Sequence, residues 1–147
     1  MSIQMIKAIV IMYMYMHVVV AGEVSIGKLI PALVHVESNG DTHAIGDSGR
    51  ALGSLQIWAC VVQDVNRVSN TTIQHSDVYD RDIAEYCCYV YLWHYGRAYT
   101  RRTGKTPTYE VYARMWNGGP KGYSKEATKA YWSKVKKQLT ITGRTST

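Results

Sequence analysis

Apolar positions recur at helical spacing through most of the chain. In "SIGKLIPALVHVE", Ile26, Leu29, Ile30, Leu33 and Val34 fall on one stripe, and Glu37 takes the next helical step. The spacing predicts an amphipathic helix that carries a single carboxylate to the end of its buried face, with Pro31 placing the regular start nearby. "SNGDTHAIGDSGRALG" has four Gly and no helical period, and predicts a loop with a short β-hairpin. Helical spacing returns in "LQIWACVVQDVNRV" through Ile57, Val61, Val65 and Val68, and "SNTTIQHS" reads as a loop. The longest periodic stretch is "DRDIAEYCCYVYLWHYGRAY", with Ile83, Cys87, Val90, Tyr91, His94 and Ala98 on one face, broken by "RRTGKTP". "TYEVYARMW" predicts a short helix stopped by "NGGPKG". Ser124 is expected to cap a last helix, "KEATKAYWSKVKKQL", followed by a frayed tail at 140–147. The elements add up to a mainly α, α+β domain with a small hairpin inserted near its start.

The first residues break this pattern. Lys7 precedes an uncharged apolar run from Ala8 to Val20, and "VVAGE" offers small residues for cleavage before Gly22. The run is shorter than the roughly 20 residues that span a bilayer. Residues 1–21 are therefore expected to be a signal peptide, with an uncleaved anchor or a buried helix as the alternatives, and 22–147 a single domain. The protein is then expected outside the cytoplasm: secreted, periplasmic, or part of a virion if it comes from a phage.

Composition narrows the chemistry. With 147 residues the chain is long enough for one core, and 46% hydrophobic content excludes a wholly disordered protein. Phe is absent while Tyr numbers 12, so rings with a polar edge are available to line a sugar groove or to pack in an ordinary core. The net charge of +6 attracts polyanions, although "RRTGK" and "SKVKK" read first as solvated surface. Cys60, Cys87 and Cys88 fit no zinc spacing, and neither CxxC nor HExxH occurs, so no metal and no cofactor are expected. In an exported protein Cys60 could pair with Cys87 or Cys88. Both segments are expected to pack in the core, which predicts Cα atoms within about 7 Å.

A carboxyl at the end of a buried helix face is partly desolvated, which favours its protonated form. Such a group can hand a proton to a poor leaving group such as a glycosidic oxygen. The plain alternative is a glutamate that reaches solvent at a helix end. The neighbouring residues favour the acid. Glu37-Ser38, then Ala44, Gly49 and Ala51, then "GSLQI" at 53–57, followed by "MWNGG" at 115–119 and by Thr128, Tyr131 and Val135, appear in one order along the chain. This set resembles the lysozyme-like superfamily of soluble lytic transglycosylases and goose-type lysozymes, with Arg50 as a one-residue insertion. The resemblance implies a lysozyme-like fold acting on peptidoglycan between N-acetylmuramic acid and N-acetylglucosamine, with Glu37 as the acid. It further implies that Ser38, Gln56, Asn117 and Gly118 bind substrate and that Tyr131 orients the acid. Gly118 and Gly119 would let the backbone approach a ligand closely, or would cap a helix.

A hydrolase with two carboxylates needs a partner for Glu37, and Asp41 and Asp47 are the candidates. Asp47, in "IGDSG", is the better placed, unless it merely makes an Asx-turn. Without a second carboxylate the substrate itself closes the ring to a 1,6-anhydro product, as in a lytic transglycosylase. Two readings of other classes remain: a non-catalytic wall- or chitin-binding module, and a basic nucleic-acid binder hinted at only by "YGRAYTRRTGK". The preferred expectation is a monomeric peptidoglycan glycosidase with no nucleic-acid partner and no stable membrane insertion.

Overall fold

A computed structural model describes residues 24–144, with side chains described through Ile141. The expected signal peptide lies outside the described residues. The fold is mainly α with one small antiparallel sheet, an α+β architecture as the periodicity predicts. Among the described residues no helix is long and apolar enough to cross a membrane. The chain divides into two compact units. Of the described residues, 37–91 form the first, and 24–36 with 92–144 form the second.

Helix α1 (Ile26–Ser38) buries Ile26, Leu29, Ile30, Ala32, Leu33 and Val34, the stripe read from the sequence. It starts five residues ahead of Pro31, which sits exposed inside the helix. The helix stops where Asn39 and Gly40 both take left-handed backbone, at φ 55° and 89°. Glu37 is therefore its penultimate residue. All but the last two residues of α1 belong to the second unit.

In the first unit, β1 (Ile45–Gly46) pairs with β2 (Ala51–Leu52), and β2 with β3 (Ile57–Trp58), all antiparallel. The hairpin matches expectation; β3 falls where the helical spacing began. Helix α2 (Ala59–Ser69) follows and buries Val62 and Val65, while Val61 and Val68 are only half-buried. A left-handed Asn70 ends it. Asn66 then braces the loop. Its Oδ1 accepts from Thr71 Oγ1 (2.7 Å) and Ile73 N (2.9 Å), and its Nδ2 donates to Ile73 O (2.8 Å). A 3-10 turn (His75–Tyr79) leads to α3 (Arg81–Thr103), whose first amides are capped by Asp80, with Asp82 N donating to Asp80 Oδ1 at 2.9 Å.

Helix α3 runs 23 residues and passes from the first unit into the second at Tyr91 and Leu92. It ends at Gly104, φ 70°. Helix α4 (Tyr109–Gly118) is capped by Thr108, whose Oγ1 accepts from Val111 N, and ends at Gly119, φ 82°. Two 3-10 turns (Gly122–Ser124 and Glu126–Thr128) precede α5 (Lys129–Arg144). Ser124 does not cap α5: its Oγ donates back to Lys121 O, and the helix starts five residues later. The helix then continues to Arg144, into the stretch expected as a tail.

The cysteine pairing is corrected by the structure. All three thiols are free: Cys60 is exposed, and Cys87 and Cys88 are completely buried. Cys60 lies in the first turn of α2, opposite the Val62–Val65 face, so its segment packs in the core while this residue faces out. Burial pushes the Cys87 thiol from 9.0 up to about 12, with the charge of Asp77 adding to it. Alkylation of the native protein at pH 8 should therefore modify Cys60 alone, and all three cysteines after unfolding, read by mass spectrometry. The same burial sets a pH dependence. Above about pH 9 the unfolded chain releases its thiol protons while the folded chain keeps them, so stability should fall as pH rises from about 9 towards 12. Replacing Cys87 by Ala should flatten that fall in alkaline thermal melts.

Candidate functional site

Glu37 sits half-buried on the last turn of α1. The next residue fastens the hairpin region beside it: Ser38 Oγ donates to Ser54 O at 2.8 Å. Ser38 thus acts within the protein as a tie between the helix end and the turn that follows β2. The charge of Glu37 also reaches the Cys88 thiol of α3. Burial pushes the Cys88 thiol far up, and Cys87, Glu37 and Glu85 push it further. Cys88 is therefore an uncharged neighbour at any physiological pH. Glu85, which also acts on Cys88, is held by Arg81 Nε at 2.8 Å. Nothing in the sequence marked this electrostatic link between Glu37, Glu85 and Cys88, because it depends on how α3 packs.

The turn between β2 and β3 is built by backbone demands. Gly53 has φ 74°, and a Cβ there would meet Val78 O at 2.4 Å. Only glycine fits against the 3-10 turn that packs on β2. Gln56 is also left-handed, at φ 49°. Its Nε2 donates to Gly53 O (3.0 Å) and Ala44 O (3.3 Å), and its Oε1 lies where a side chain on Gly46 would have to be. Gln56 thus braces its own loop. His75 reaches Ile57 O at 2.7 Å and ties the 3-10 turn to β3.

Asp47 stands at the hairpin tip. Asp47, Ser48 and Gly49 take left-handed backbone in succession, at φ 49°, 56° and 88°. Two of the three are not glycine, so the tip is strained. Arg50 closes it, with N and Nε both donating to Asp47 O, and its guanidinium lies 4.8 Å from the Trp58 ring centre. The Asp47 side chain is exposed and accepts no hydrogen bond from another described residue. The Asx-turn considered for it is absent; Asp41 makes that kind of turn instead, accepting from His43 N at 2.9 Å.

The remaining candidates lie in the second unit. Asn117 is exposed near the end of α4, and Tyr131 is half-buried in the first turn of α5. Gly118 is set by packing: a Cβ would meet Thr128 Cγ2 at 2.5 Å, and its carbonyl accepts from Lys125 Nζ at 2.7 Å. Gly119 serves as the helix cap. The centre of this region is Arg114, which the sequence reading passed over. It is 8% exposed and donates to Thr128 Oγ1 (3.0 Å), Glu110 Oε1 (2.8 Å) and Lys125 O (2.9 Å). Thr128 in turn donates to Gly122 O at 2.7 Å. Thr128 therefore holds the turns before α5 in place.

No family model matches the chain. Over 92 residues, 61% of its length, it is 35% identical to a protein named lysozyme from Ostrea edulis, and the match spans 63% of that relative's length. In fold it resembles a chain of the crystal structure of Aeromonas hydrophila PliI in complex with Meretrix lusoria lysozyme, with a TM-score of 0.63 and 24% identity, covering 78% of this chain and 93% of that one. The structural likeness speaks for the fold. The sequence likeness is to a protein named lysozyme, over the matched stretch.

Proposed function

We propose that the protein is a muramidase that cleaves the β-1,4 bond between N-acetylmuramic acid and N-acetylglucosamine in peptidoglycan, with Glu37 as general acid. The observation that carries the reading is the placement of Glu37: a half-buried carboxyl on the last turn of α1, with the hairpin region tied beside it by Ser38. The likeness to a protein named lysozyme supports it. Glu37 would protonate the glycosidic oxygen as the bond to the muramic acid C1 breaks, so that the N-acetylglucosamine leaves as an alcohol. The cation-like sugar is then captured by water, giving hydrolysis, or by its own 6-hydroxyl, giving a 1,6-anhydro ring; the proton shed by the attacking oxygen goes to a carboxylate, Asp47 for water or the ionised Glu37 for ring closure. Substrate contacts from Asn117, the Gly118–Gly119 backbone and Tyr131 belong to the same reading. The same reading implies a protein that acts outside the cytoplasm, in keeping with the leader-like residues 1–21.

Asp47 favours hydrolysis, because its carboxylate is not used in its own turn and is presented by a strained tip. We assign it the capture of water. Products from purified peptidoglycan should then carry reducing-end muramic acid, one water heavier than the anhydro form by mass spectrometry. Asp47→Asn should slow their release by about 10²-fold or more. Predominantly anhydro products from the unaltered protein would remove Asp47 from the mechanism, leave Glu37 in it, and make the protein a lytic transglycosylase.

A further inference from the structure

The charge of the chain is divided between its two units. Residues 37–91 contain three Arg, no Lys and eight acidic side chains, whereas 24–36 with 92–147 contain thirteen Lys and Arg and two acidic side chains. Both acids of the second unit are already engaged, Glu110 with Arg114 and Glu126 with Lys129, each at 2.8 Å. The cations around the end of α3 have no counter-charge among the described residues of their unit. They are also arranged. Arg97 lies over Trp93 at 4.9 Å, and Arg102 lies over Tyr123 at 5.3 Å while bonding its hydroxyl. Tyr99 meets Tyr123 edge-on at 5.0 Å. Arg101, Lys105 and Lys121 are exposed. A guanidinium stacked on a ring loses little further freedom on binding and still presents N–H edges to phosphate oxygens.

We propose that this arginine–aromatic surface, formed by the C-terminal end of α3 and the Gly122–Ser124 turn, docks the protein on the polyol-phosphate polymers attached to bacterial walls. Several exposed cations on separate side chains suit a flexible chain carrying one negative charge per repeat, and the release of its counterions drives binding. A bilayer is a poorer fit. Trp93 and Ile141 are the exposed large apolar residues described in this unit, too little surface for interfacial insertion. The choice of a wall polymer rests on the proposed muramidase reading; the basic surface itself does not.

The test is co-sedimentation with Gram-positive walls, intact or stripped of polyol phosphate with cold hydrofluoric acid, using full-length Glu37→Gln protein so that the walls survive. Intact walls should retain the protein at low salt, with about 10²-fold weaker binding as salt rises from about 50 to about 200 mM. Stripped walls should retain it at least tenfold less. The triple variant Arg97→Gln, Arg101→Gln, Arg102→Gln should lose about tenfold or more on intact walls. Lys134→Gln, Lys136→Gln, Lys137→Gln removes the same charge from α5 and should lose less than threefold. Thermal melts confirm that both triples are folded. Equal losses from the two triples would reduce the surface to diffuse charge and overturn the proposal. So would equal retention on stripped walls, or tighter retention on duplex DNA or phosphatidylglycerol vesicles than on intact walls. With Glu37 restored, the arginine variant should cleave soluble phosphate-free glycan at the unaltered rate. If the unaltered protein binds walls but cleaves no glycan, the glycosidase reading fails separately.

Discussion

Glu37→Gln should lower wall-lytic activity by about 10²- to 10⁴-fold, the usual cost of losing a general acid. The amide keeps the size and hydrogen-bonding reach of the carboxyl but has no proton to give to the leaving oxygen. Glu37 occupies the last turn of α1, next to the left-handed Asn39 and Gly40 that end the helix. The isosteric replacement should leave that ending intact, so thermal stability should change by less than about 1 kcal/mol. Turbidity clearance of a cell-wall suspension reads the activity, and a calorimetric melt reads the fold. Wild-type clearance by the Gln variant would remove Glu37 from the chemistry. A variant that loses clearance and also melts early would point to a structural role for the carboxyl.

Gly122→Ala should be the most damaging single methyl in the second unit. A Cβ at this position would lie 1.9 Å from Arg114 O and 3.3 Å from Met115 Cα, both backbone atoms of α4 that no rotamer change can move. The turn would have to leave the helix. The Gly122 carbonyl would then withdraw from Thr128, and Thr128 from the buried Arg114. Overpacking together with loss of these buried bonds is expected to cost about 3 kcal/mol or more, lowering the melting temperature by roughly 10 °C. Gly104→Ala is the contrasting control. Its Cβ meets nothing within 4 Å, so only the left-handed backbone, φ 70°, resists the change, at about 1 kcal/mol. A Gly122 variant that melts within 2 °C of the unaltered protein (on the order of 1 kcal/mol) would show that the turn is free to move.

The parts of the fold read correctly from the chain are those set by local periodicity. The stripe from Ile26 to Val34 fixes α1 and brings Glu37 to its end, and "NG" at 39–40 marks the stop. The Gly-rich hairpin was legible for the same reason. Two-residue strands carry no period of their own, so β3 was absorbed into the helical spacing of α2. Ser124 looked like a cap because Ser before a lysine-rich helix usually is one. The buried Thr128–Arg114 bond instead folds the following residues into a 3-10 turn before α5 begins. Arg114 itself reads as a surface charge on an amphipathic helix, and its burial follows from partners 11 and 14 residues away. Of the candidate site, the position of Glu37 at the end of α1 and the hairpin were visible in the sequence. The inward brace of Gln56, the packing role of Gly118 and the influence of Glu37 on the Cys88 thiol depend on tertiary structure. The motif resemblance to soluble lytic transglycosylases and goose-type lysozymes stands on its residues alone, while the relative found by sequence is named simply a lysozyme.

The three free thiols carry a consequence for where this protein can exist. Small exported domains often hold their shape through cross-links and collapse when reduced. The described fold has none, so glutathione has no bond in it to break. The same shape should form in a reducing cytosol and in an oxidising envelope, and the chain should refold without an oxidant or an isomerase. Of the three thiols, only the exposed Cys60 is open to oxidation, and its product would be a disulfide between two molecules.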